Sequence, residues 1–323
     1  MKAIRRVAFF GSPDFAVPTL DALCSSTYRP ALVVSQPPRP AGRGRREEPT
    51  AVALCASEHG IEVWQPLKVR DSSFLAAFEA LSFDLAVVVA FGQIFPKALL
   101  GMPRRGCVNL HASLLPRHRG AAPVQAAIAA GDRVTGVTTM LMEAGLDTGP
   151  ILLQRSTTIG EDEDAPSLAG RLAVLGAALV LETVAGLEDG RLHPVPQDGA
   201  LATVAPRLAK RDGFVEWSLD AISIWRRVRA FRPWPGSTTL CGGEPLKLLE
   251  VRPLERTGAG AAPPGTLLGL ADGCVAVAAG AGTTLGLARV QRPGRRAIGA
   301  EEFLRAERLV PGRIEFTTPV SEV

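Results

Sequence analysis

Cysteine is scarce in this chain of 323 residues, and its spacing is not that of cross-linked or zinc-binding proteins. The five cysteines are Cys24, Cys55, Cys107, Cys241 and Cys274. Their number is odd and no Cys-x-x-Cys pair occurs, which argues against a disulfide framework or a zinc site and favours a reducing compartment. Because most of their neighbours are small or apolar, we predict that these cysteines are buried packing residues.

The sequence also lacks a long apolar segment. The longest unbroken one, Leu85–Phe91, is far too short to span a membrane. Only four apolar residues, Val7–Phe10, follow the basic amino terminus before Gly11. This short segment predicts a first strand and not the core of a secretory signal. We therefore expect a protein without a membrane partner.

Two nucleotide-binding patterns are missing. The turn Gly11-Ser12-Pro13-Asp14 follows the first predicted strand, where a dinucleotide-binding fold has its phosphate loop, but it lacks Gly-x-Gly-x-x-Gly spacing. The P-loop pattern is absent as well. These absences argue against bound NAD or FAD and against nucleotide hydrolysis.

Positive charge is concentrated in the second half of the chain, whose overall net charge is +4. Residues 191–323 hold 18 Lys+Arg against 13 Asp+Glu, a net charge of +5, and residues 1–190 hold 18 against 19, a net charge of −1. A basic half is weak evidence for a polyanionic partner, because arginine also accumulates on ordinary solvated surfaces.

The remaining pattern predicts two domains of different kinds. Residues 1–190 alternate short apolar segments with helix-like segments, as parallel α/β units do. Residues 191–208 contain three prolines and no clear periodicity, which predicts a linker. Residues 209–323 contain an amphipathic helix at Leu219–Phe231 and short strand-like segments separated by glycine and proline. This second half predicts a small β-barrel.

Two hydrogen-bonding side chains, Asn109 and His111, share one face of the strand predicted at Gly106–His111, because side chains alternate along a strand. They reach the carboxyl end of that strand, where open α/β sheets bind their ligands. The alternative is that the histidine is satisfied inside the core and the asparagine caps the strand end. The spacing alone leaves both interpretations open.

Asp147 stands between two glycines, Gly145 and Gly149, in a predicted loop after a strand. Glycines permit unusual dihedral angles and close backbone approach, so this carboxylate can project towards a cleft. The alternative is an aspartate that hydrogen-bonds within its own turn.

Two longer segments resemble the signature of the folate-dependent formyltransferase family. They are Asn109–Gln125 (NLHASLLPRHRGAAPVQ) and Gly145–Leu152 (GLDTGPIL). Further segments match those members of the family that act on tRNA, in the same order along the chain: Arg6–Ala16, Gln36–Arg46, Glu58–Pro66, Val88–Pro96, Val228–Thr239 and Gly294–Leu304. Several long motifs in the right order make the resemblance highly specific.

The resemblance implies an α/β fold class: a Rossmann-like, mostly parallel sheet domain at 1–190, a linker at 191–208 and a small OB-like, tRNA-binding β-barrel at 209–323. It also implies that the formyl group of 10-formyltetrahydrofolate is transferred to the amino group of methionyl initiator tRNA. The implied partners are this tRNA and the folate co-substrate, and we expect a monomer that needs no metal. Without a leader rich in arginine and serine, the expected location is the bacterial cytoplasm.

The resemblance assigns residues to three roles. The catalytic residues of the family match Asn109, His111 and Asp147. Its folate contact corresponds to Ser113, Leu114, Leu115 and Pro116. Its tRNA-contacting loop corresponds to Pro37–Arg46, with Arg43 as the key match among Arg39, Arg43, Arg45 and Arg46.

The residue types suit formyl transfer. A neutral amine attacks the formyl carbon, and Asn109 can donate a hydrogen bond to the negative oxygen that develops. His111 exchanges protons near neutral pH, so it can stabilise that oxygen or protonate the departing folate nitrogen. Asp147 can orient His111 or accept the amine proton, a role worth about 10²–10⁴ in rate. The sequence leaves this division of roles open.

Two residues depart from the family pattern. His118 stands where the family usually has tryptophan, so a contact with folate or tRNA is expected to be weaker there. Val204 replaces an aromatic residue, which predicts a change in linker packing. His59 and His193 have no evident partner in the sequence, and we interpret both as structural or surface residues.

Three other functions are compatible with parts of the sequence. A formyltransferase for a small amine, such as glycinamide ribonucleotide or an amino sugar nucleotide, needs neither the barrel nor the arginine loop. An RNA-binding protein with a transferase fold does not need Asn109, His111 and Asp147 together. A hydrolase that removes formyl from folate would share these three residues and differ only in its product.

Overall fold

The structure is a computed structural model that describes residues 3–41, 46–255 and 262–319. It divides into two compact units. The first contains Met1–Pro123, Val134–Thr158 and Ser167–Pro206, and the second contains Val124–Arg133, Ile159–Pro166 and Arg207–Val323. Most of the segment that we interpreted as a linker is thus included in the first unit. The domain boundaries drawn from the sequence stay a prediction.

Strands and helices largely alternate over residues 3–206. The strands are β1 Val7–Gly11, β2 Pro30–Val34, β3 Arg39–Ala41, β4 Arg46–Glu48, β5 Val63–Trp64, β6 Leu85–Val89, β7 Cys107–His111, β8 Arg119–Gly120, β9 Val134–Leu141, β10 Ile151–Thr158 and β11 Val204–Ala205. The helices are α1 Val17–Cys24, α2 Ala51–Glu58, α3 Ser72–Ala80, α4 Lys97–Gly101, α5 Pro123–Ala130 and α6 Ala165–Asp189. Of these helices, α5 contributes mainly to the second unit.

Seven strands form the central sheet of the first unit, in the order β10-β9-β7-β6-β1-β2-β5. The five strands from β7 to β5 run parallel, whereas β9 is antiparallel to both of its neighbours. The chain moves outward from β1 to β5 and then returns to the other side of β1 as β6. The carboxyl ends of β1 and β6 therefore flank the reversal point where such sheets bind ligands, and β7 lies next to it.

Continuous apolar strands place this sheet in the interior. All residues of β1 and β6 are buried, as is typical of parallel strands covered on both faces. On one face, the ring of Phe10 packs edge-on against those of Phe78 and Phe95, at centroid distances of 5.5 and 4.9 Å. The sheet that carries the site is thus held from within by an aromatic cluster.

Helix α6 approaches the sheet closely at a glycine. A Cβ at Gly176 would lie 2.5 Å from Leu110 Cδ2 in β7, so only glycine leaves room for that leucine. The hydroxyl groups of Thr183 in α6 and Thr139 in β9 lie 2.8 Å apart. By length and composition alone α6 could also cross a membrane, a property it shares with core helices, and half of its most apolar part is buried.

The second unit is built around antiparallel strands. After residue 206 its elements are α7 Ala221–Ala230, β12 Ser237–Cys241, β13 Glu244–Leu254, β14 Leu267–Ala271, β15 Cys274–Ala278, β16 Thr284–Gln291, β17 Ala297–Gly299, α8 Ala300–Glu307 and β18 Phe316–Thr317. The strand order is β14-β15-β16-β13-β12-β18, with β17 paired to β16, and every pairing is antiparallel.

The two ends of this strand order meet. Leu267, at the start of β14, accepts a hydrogen bond from Gly312 at 2.8 Å and donates one to the carbonyl oxygen of Arg313 at 2.9 Å, shortly before β18. The sheet thereby closes into a small barrel. The predicted fold class, a mostly parallel α/β domain followed by a β-barrel, is confirmed.

The helix predicted at Leu219–Phe231 is α7, but its buried face differs from the predicted apolar stripe of Ile222, Trp225, Val228 and Phe231, because Ile222 is 47% exposed and Ile224 is buried instead. Ile224 and Val228 are buried in the core of the barrel together with Trp217, whose indole Nε1 donates to Thr239 Oγ1 at 2.9 Å. Amphipathic spacing therefore located this helix but not all of its buried residues. Helix α8 and strand β14 were not predicted, because segments of eight and five residues are too short for a period to be recognised in the sequence.

The cysteines have the predicted role. All five are free and buried. At Cys107 in β7, burial raises the pKa of the thiol to about 12, so this side chain stays neutral and packs as a small apolar group.

Candidate active site

Strand β7 brings Asn109 and His111 to its carboxyl end on one face of the sheet. Asn109 is paired with Val88 of β6 and Met140 of β9, and its side chain is half-buried. Its amide makes no hydrogen bond to the described part of the chain, which leaves both donors to a bound group. His111 is only 6% exposed and pairs with Thr138 of β9.

Both ring nitrogens of His111 face oxygen atoms. Nε2 lies 2.9 Å from the backbone oxygen of His118, and because a carbonyl can only accept, Nε2 must carry a proton. Nδ1 lies 3.6 Å from Asp147 Oδ2. In the neutral ring Nδ1 therefore presents its lone pair, and a proton added at Nδ1 would face a carboxylate.

Burial dominates the protonation of His111. Removal from water lowers the pKa of His111, while the Asp147 carboxylate and the His118 carbonyl act in the opposite direction without outweighing it. The imidazole is consequently neutral at pH 7, with an acceptor at Nδ1 and a nearby carboxylate that would stabilise its protonated form.

Asp147 is held in an unusual backbone conformation. Its φ of +53° lies in the left-handed region. Two residues later Gly149 has no room for a side chain, because a Cβ there would lie 1.7 Å from the carbonyl oxygen of Leu141. The carboxylate reaches beyond its own turn, since Gly120 donates its N–H to Oδ2 at 2.8 Å. The loop thus aims the carboxylate at His111.

The segment after β7 is held by hydrogen bonds of three side chains, of which Thr138 makes two. Thr138 Oγ1 donates to the carbonyl oxygen of Ser113 at 2.6 Å and accepts from the N–H of Leu115 at 3.1 Å. Gln154 Nε2 donates to the carbonyl oxygen of Leu115 at 2.8 Å. The Ser113 hydroxyl donates to the carbonyl oxygen of Arg117 at 2.6 Å. The segment is therefore held by hydrogen bonds within the protein itself.

The four residues expected to contact folate differ in accessibility. Ser113 and Leu115 are buried, whereas Leu114 and Pro116 are half-buried. The two buried side chains pack inside the protein. The two half-buried ones, which follow His111 in the chain, leave apolar surface accessible. Contact of these four residues with folate stays a prediction.

His118, which replaces the usual tryptophan, contributes through its backbone. It has a φ of +58° and its ring is buried. Its N–H donates to Thr203 Oγ1 at 2.8 Å, while its carbonyl meets His111. A backbone contact does not depend on the side chain, so the substitution leaves the support of His111 intact. Val204, the second departure, is 72% exposed in β11 and has little packing to change.

The arginine loop is described only in part. Arg43 and Arg45 lie outside the described residues, and only the backbone is described for Arg39 and Arg46. That backbone forms the hairpin β3–β4, in which Arg39 pairs with Glu48. Contact of these arginines with tRNA stays a prediction.

One group of side chains in the described parts of the chain has the composition of a metal site. Asp21, Cys55 and His59 bring one ligand atom each within 4.8 Å of one another. The group is explained by its own hydrogen bonds, since Asp21 Oδ1 lies 3.1 Å from Cys55 Sγ and 2.8 Å from His59 Nε2. Burial and this contact raise the pKa of Cys55 to about 12, which disfavours the thiolate that metals bind. His59, which we interpreted as a structural or surface residue, contacts Asp21 within the fold.

Sequence reasoning missed three polar residues that support the site: Thr138, Gln154 and Gln197. Thr138 and Gln154 lie on β9 and β10, and Gln197 lies in the segment after α6. Thr138 lies between Val137 and Thr139 on a buried strand and carries no motif of its own. Only the folded sheet brings it beside Ser113.

Comparisons with known proteins cover both units. Residues 5–184 match the family described as Formyl transferase, and residues 207–308 match the family described as Formyl transferase, C-terminal domain. A methionyl-tRNA formyltransferase of Citrifermentans bemidjiense is 46% identical over 95% of this chain and 95% of the relative. One of Acidiphilium cryptum is 48% identical over 95% of this chain and 98% of the relative.

Solved structures share the fold at low identity. WlaRD, a sugar 3N-formyl transferase, has a TM-score of 0.65 and 13% identity, covering 91% of this chain and all of that chain. HypX from Aquifex aeolicus in complex with tetrahydrofolic acid has a TM-score of 0.58 and 18% identity. This match covers 94% of the present chain, which spans 47% of HypX.

Proposed function

The chain belongs to the formyl transferase family and, within it, to the methionyl-tRNA formyltransferases, and we propose that it transfers the formyl group of 10-formyltetrahydrofolate to the amino group of methionyl initiator tRNA. The observation that carries this proposal is the contact of His111 with Asp147 beside Asn109, in a chain whose relatives match it across both units. A folate-dependent one-carbon transfer is the reaction of this family.

The co-substrate supplies the formyl group, and the residues around β7 orient it and move protons. Overall, the amine loses one proton and the folate nitrogen gains one. Nδ1 of His111 is the atom available for this relay, because Nε2 is committed to the His118 carbonyl. Asp147 stabilises the ring when Nδ1 is protonated, and the Asn109 amide donates to the formyl oxygen as negative charge develops there.

Binding is divided among several surfaces in this proposal. Leu114 and Pro116 contact the folate ring, and the buried Ser113 and Leu115 hold the segment in place. The loop with Arg39, Arg43, Arg45 and Arg46 contacts the acceptor end of the tRNA, with the barrel as a second basic surface. The protein acts as a cytoplasmic monomer.

An acid-gel assay tests the reaction. Purified protein is incubated with 10-formyltetrahydrofolate and, separately, methionyl initiator tRNA, methionyl elongator tRNA or a small amine. We expect formylation of the initiator tRNA alone, with the rate reduced about 10²–10⁴-fold in His111→Ala because the proton relay is lost. The surface histidine variant His193→Ala is the matched control and should retain the wild-type rate.

The other outcomes separate the competing functions. Consumption of folate without formylmethionyl-tRNA would favour a hydrolase, and formylation of the small amine would favour a small-molecule transferase. Tight tRNA binding without any turnover would favour an RNA-binding protein. Equal rates for wild type and His111→Ala would show that the assigned catalytic site is wrong even if the reaction occurs.

A further inference from the structure

The segment after α6 returns to the active site and does not simply connect two units. Val195 exchanges two backbone hydrogen bonds with Ile151 at the start of β10, both at 2.8 Å. A few residues later β11 pairs in parallel with β8, which directly follows His118. Gln197 lies between these two backbone pairings, which hold the position of its Cα.

The amide of Gln197 joins the Asp147 loop to β8. Nε2 donates to the carbonyl oxygen of Asp147 at 2.8 Å and to that of Gly149 at 2.7 Å. Oε1 accepts from Arg119 Nε at 3.0 Å and from Arg119 Nη2 at 2.7 Å. One side chain therefore satisfies two carbonyls of the loop and one guanidinium of the neighbouring strand.

The two sets of partners define which residue can stand here. A guanidinium only donates, and a backbone carbonyl only accepts, so the orientation of the amide is determined by its surroundings. A carboxylate would bind Arg119 but would face two carbonyl oxygens without a donor. A cationic side chain would meet the carbonyls but repel Arg119. Glutamine alone offers an acceptor and a two-proton donor at this reach.

Both partners of Gln197 lie next to groups that contact the catalytic pair. Arg119 stands between His118, whose carbonyl fixes the proton on His111, and Gly120, whose N–H binds Asp147 Oδ2. The carbonyl that Gln197 holds belongs to Asp147 itself, whose φ of +53° needs support from outside its turn.

We propose that Gln197 is a positioning residue, which holds the Asp147 carboxylate against Nδ1 of His111 by clamping the Asp147 loop to β8. This inference rests on the proposed formyl transfer. Gln197 acts through Asp147 and touches no reacting atom. Loss of the clamp lets the carboxylate move, and a displacement of about 1 Å is enough to cost about 10²-fold in rate.

Two substitutions separate this role from simple packing. Gln197→Glu keeps the contact with Arg119 but loses the donor to the Asp147 loop, whereas Gln197→Met loses both. We expect kcat to fall about 10–100-fold in both variants, with KM for tRNA and for folate changed less than about twofold. If the only role of Gln197 were to anchor Arg119, Gln197→Glu would keep the wild-type kcat. Asp198→Ala, at an exposed neighbour whose carboxylate accepts the N–H of Ala200, is the matched control.

A double variant tests whether Gln197 acts through Asp147. Adding Gln197→Met to Asp147→Asn should lower kcat no further, because the carboxylate that it positions is already gone. Multiplied losses would contradict the proposal. Hydrogen exchange of residues 143–150, measured without substrate, should be faster in Gln197→Met than in wild type or Asp198→Ala.

The two proposals fail in different ways. If Gln197→Glu and Gln197→Met keep the wild-type kcat, or if exchange in the loop is unchanged, the positioning role is wrong. If the wild type forms no formylmethionyl-tRNA, the proposed function is wrong. In that case the exchange measurement, which needs no substrate, still decides whether Gln197 holds the loop.

Discussion

At the scale of single residues, the tautomer of His111 determines what the site can do. The proton on Nε2 is fixed by the His118 carbonyl, so Asp147 acts on the second proton and not on the resting ring. This arrangement favours a stabilising role for Asp147 over the orienting role that the sequence also allowed. The His118 carbonyl already orients the ring. The Asp147 carboxylate lies 3.6 Å from Nδ1, where it stabilises the positive charge that the ring acquires on protonation.

The pKa of His111 provides a direct test. Burial lowers this pKa and the Asp147 carboxylate partly restores it, so Asp147→Asn should lower it further. Because His111 relays protons as the neutral ring, activity should fall as pH drops through its pKa, and the midpoint should move to lower pH in the variant. Titration by NMR of the histidine ring protons measures the shift, with His111→Gln identifying the signal.

The neighbouring groups make the expected direction specific. The charge of His118 lowers the pKa of His111, whereas that of Asp147 raises it. A higher pKa of His111 in any variant could therefore not be attributed to a charged His118. His193→Gln, which removes an exposed histidine, should leave the His111 titration unchanged. A higher pKa of His111 in Asp147→Asn would contradict the assigned contact.

A second carboxylate, Asp84, stabilises the start of the sheet. Its Oδ2 accepts the N–H groups of Arg5 and Arg6 at 2.9 and 3.0 Å, immediately before β1. Asp84→Ala should lower the free energy of unfolding by about 1–3 kcal/mol, since these amides lose their partner. Urea denaturation measures the change, and Asp189→Asn, which removes an exposed pair with Arg191, should cost less than about 1 kcal/mol.

The pH dependence of this contribution follows from the pKa of Asp84. Burial alone would raise that pKa, but the two amide hydrogen bonds and two nearby arginines lower it below its ordinary value. A carboxyl whose folded pKa is depressed stabilises the protein above its unfolded pKa of about 3.9, and this stabilisation is lost as pH falls through the folded pKa. The difference between wild type and Asp84→Ala should therefore shrink in acid.

At the scale of elements, two glycines in α6 should respond to the same substitution in opposite ways. Gly170 is exposed with nothing within 4 Å of a Cβ, so Gly170→Ala should stabilise the protein by about 0.5–1 kcal/mol through helix propensity. A Cβ at Gly176 would meet Leu110 Cδ2 at 2.5 Å, and overpacking of this kind costs about 1–3 kcal/mol. Thermal unfolding of both variants checks the signs, and an equal rise in Tm would disprove the close packing of α6 on β7.

Periodicity predicted the elements that bury a continuous or alternating apolar face. The buried strand β6 and the amphipathic helix α7 were both evident, because each has a period that burial imposes. Helix α8 and the hairpin β3–β4 were missed, since short elements are specified by few residues. Where an element was long and apolar, the sequence was sufficient.

The site was predictable only in its central residues. Asn109 and His111 followed from alternation along β7, and Asp147 followed from the glycines around it, with the family resemblance joining the two. The His118 carbonyl and the Gln197 amide were not predictable, because a backbone carbonyl has no sequence signature and Gln197 is brought to Asp147 from 50 residues away. Support of this kind depends on the fold and not on a motif.

At the scale of the whole molecule, the distribution of charge predicts that binding of tRNA and binding of folate respond differently to salt. The chain carries a net charge of +4, with a net charge of +5 in residues 191–323, and the four arginines of the loop are included in the net charge of −1 of residues 1–190. Phosphate contacts release counterions, so tRNA binding should weaken steeply as salt rises, whereas folate binding on the half-buried surface of Leu114 and Pro116 should change little.

Replacing Arg39, Arg43, Arg45 and Arg46 together by alanine tests the contribution of the loop. Each phosphate contact on a single strand contributes about 0.7 to the slope of log K against log salt, so the variant should lose up to about 3 from the magnitude of that slope. KM for folate should stay unchanged, because the proposal assigns folate binding to Leu114 and Pro116 and not to the loop. Filter binding across a salt series measures the slope, and Arg191→Ala, at an exposed ion pair, is the control. If the slope is the same in the quadruple variant and in wild type, the loop does not bind phosphates, and the basic barrel must supply the electrostatic attraction alone.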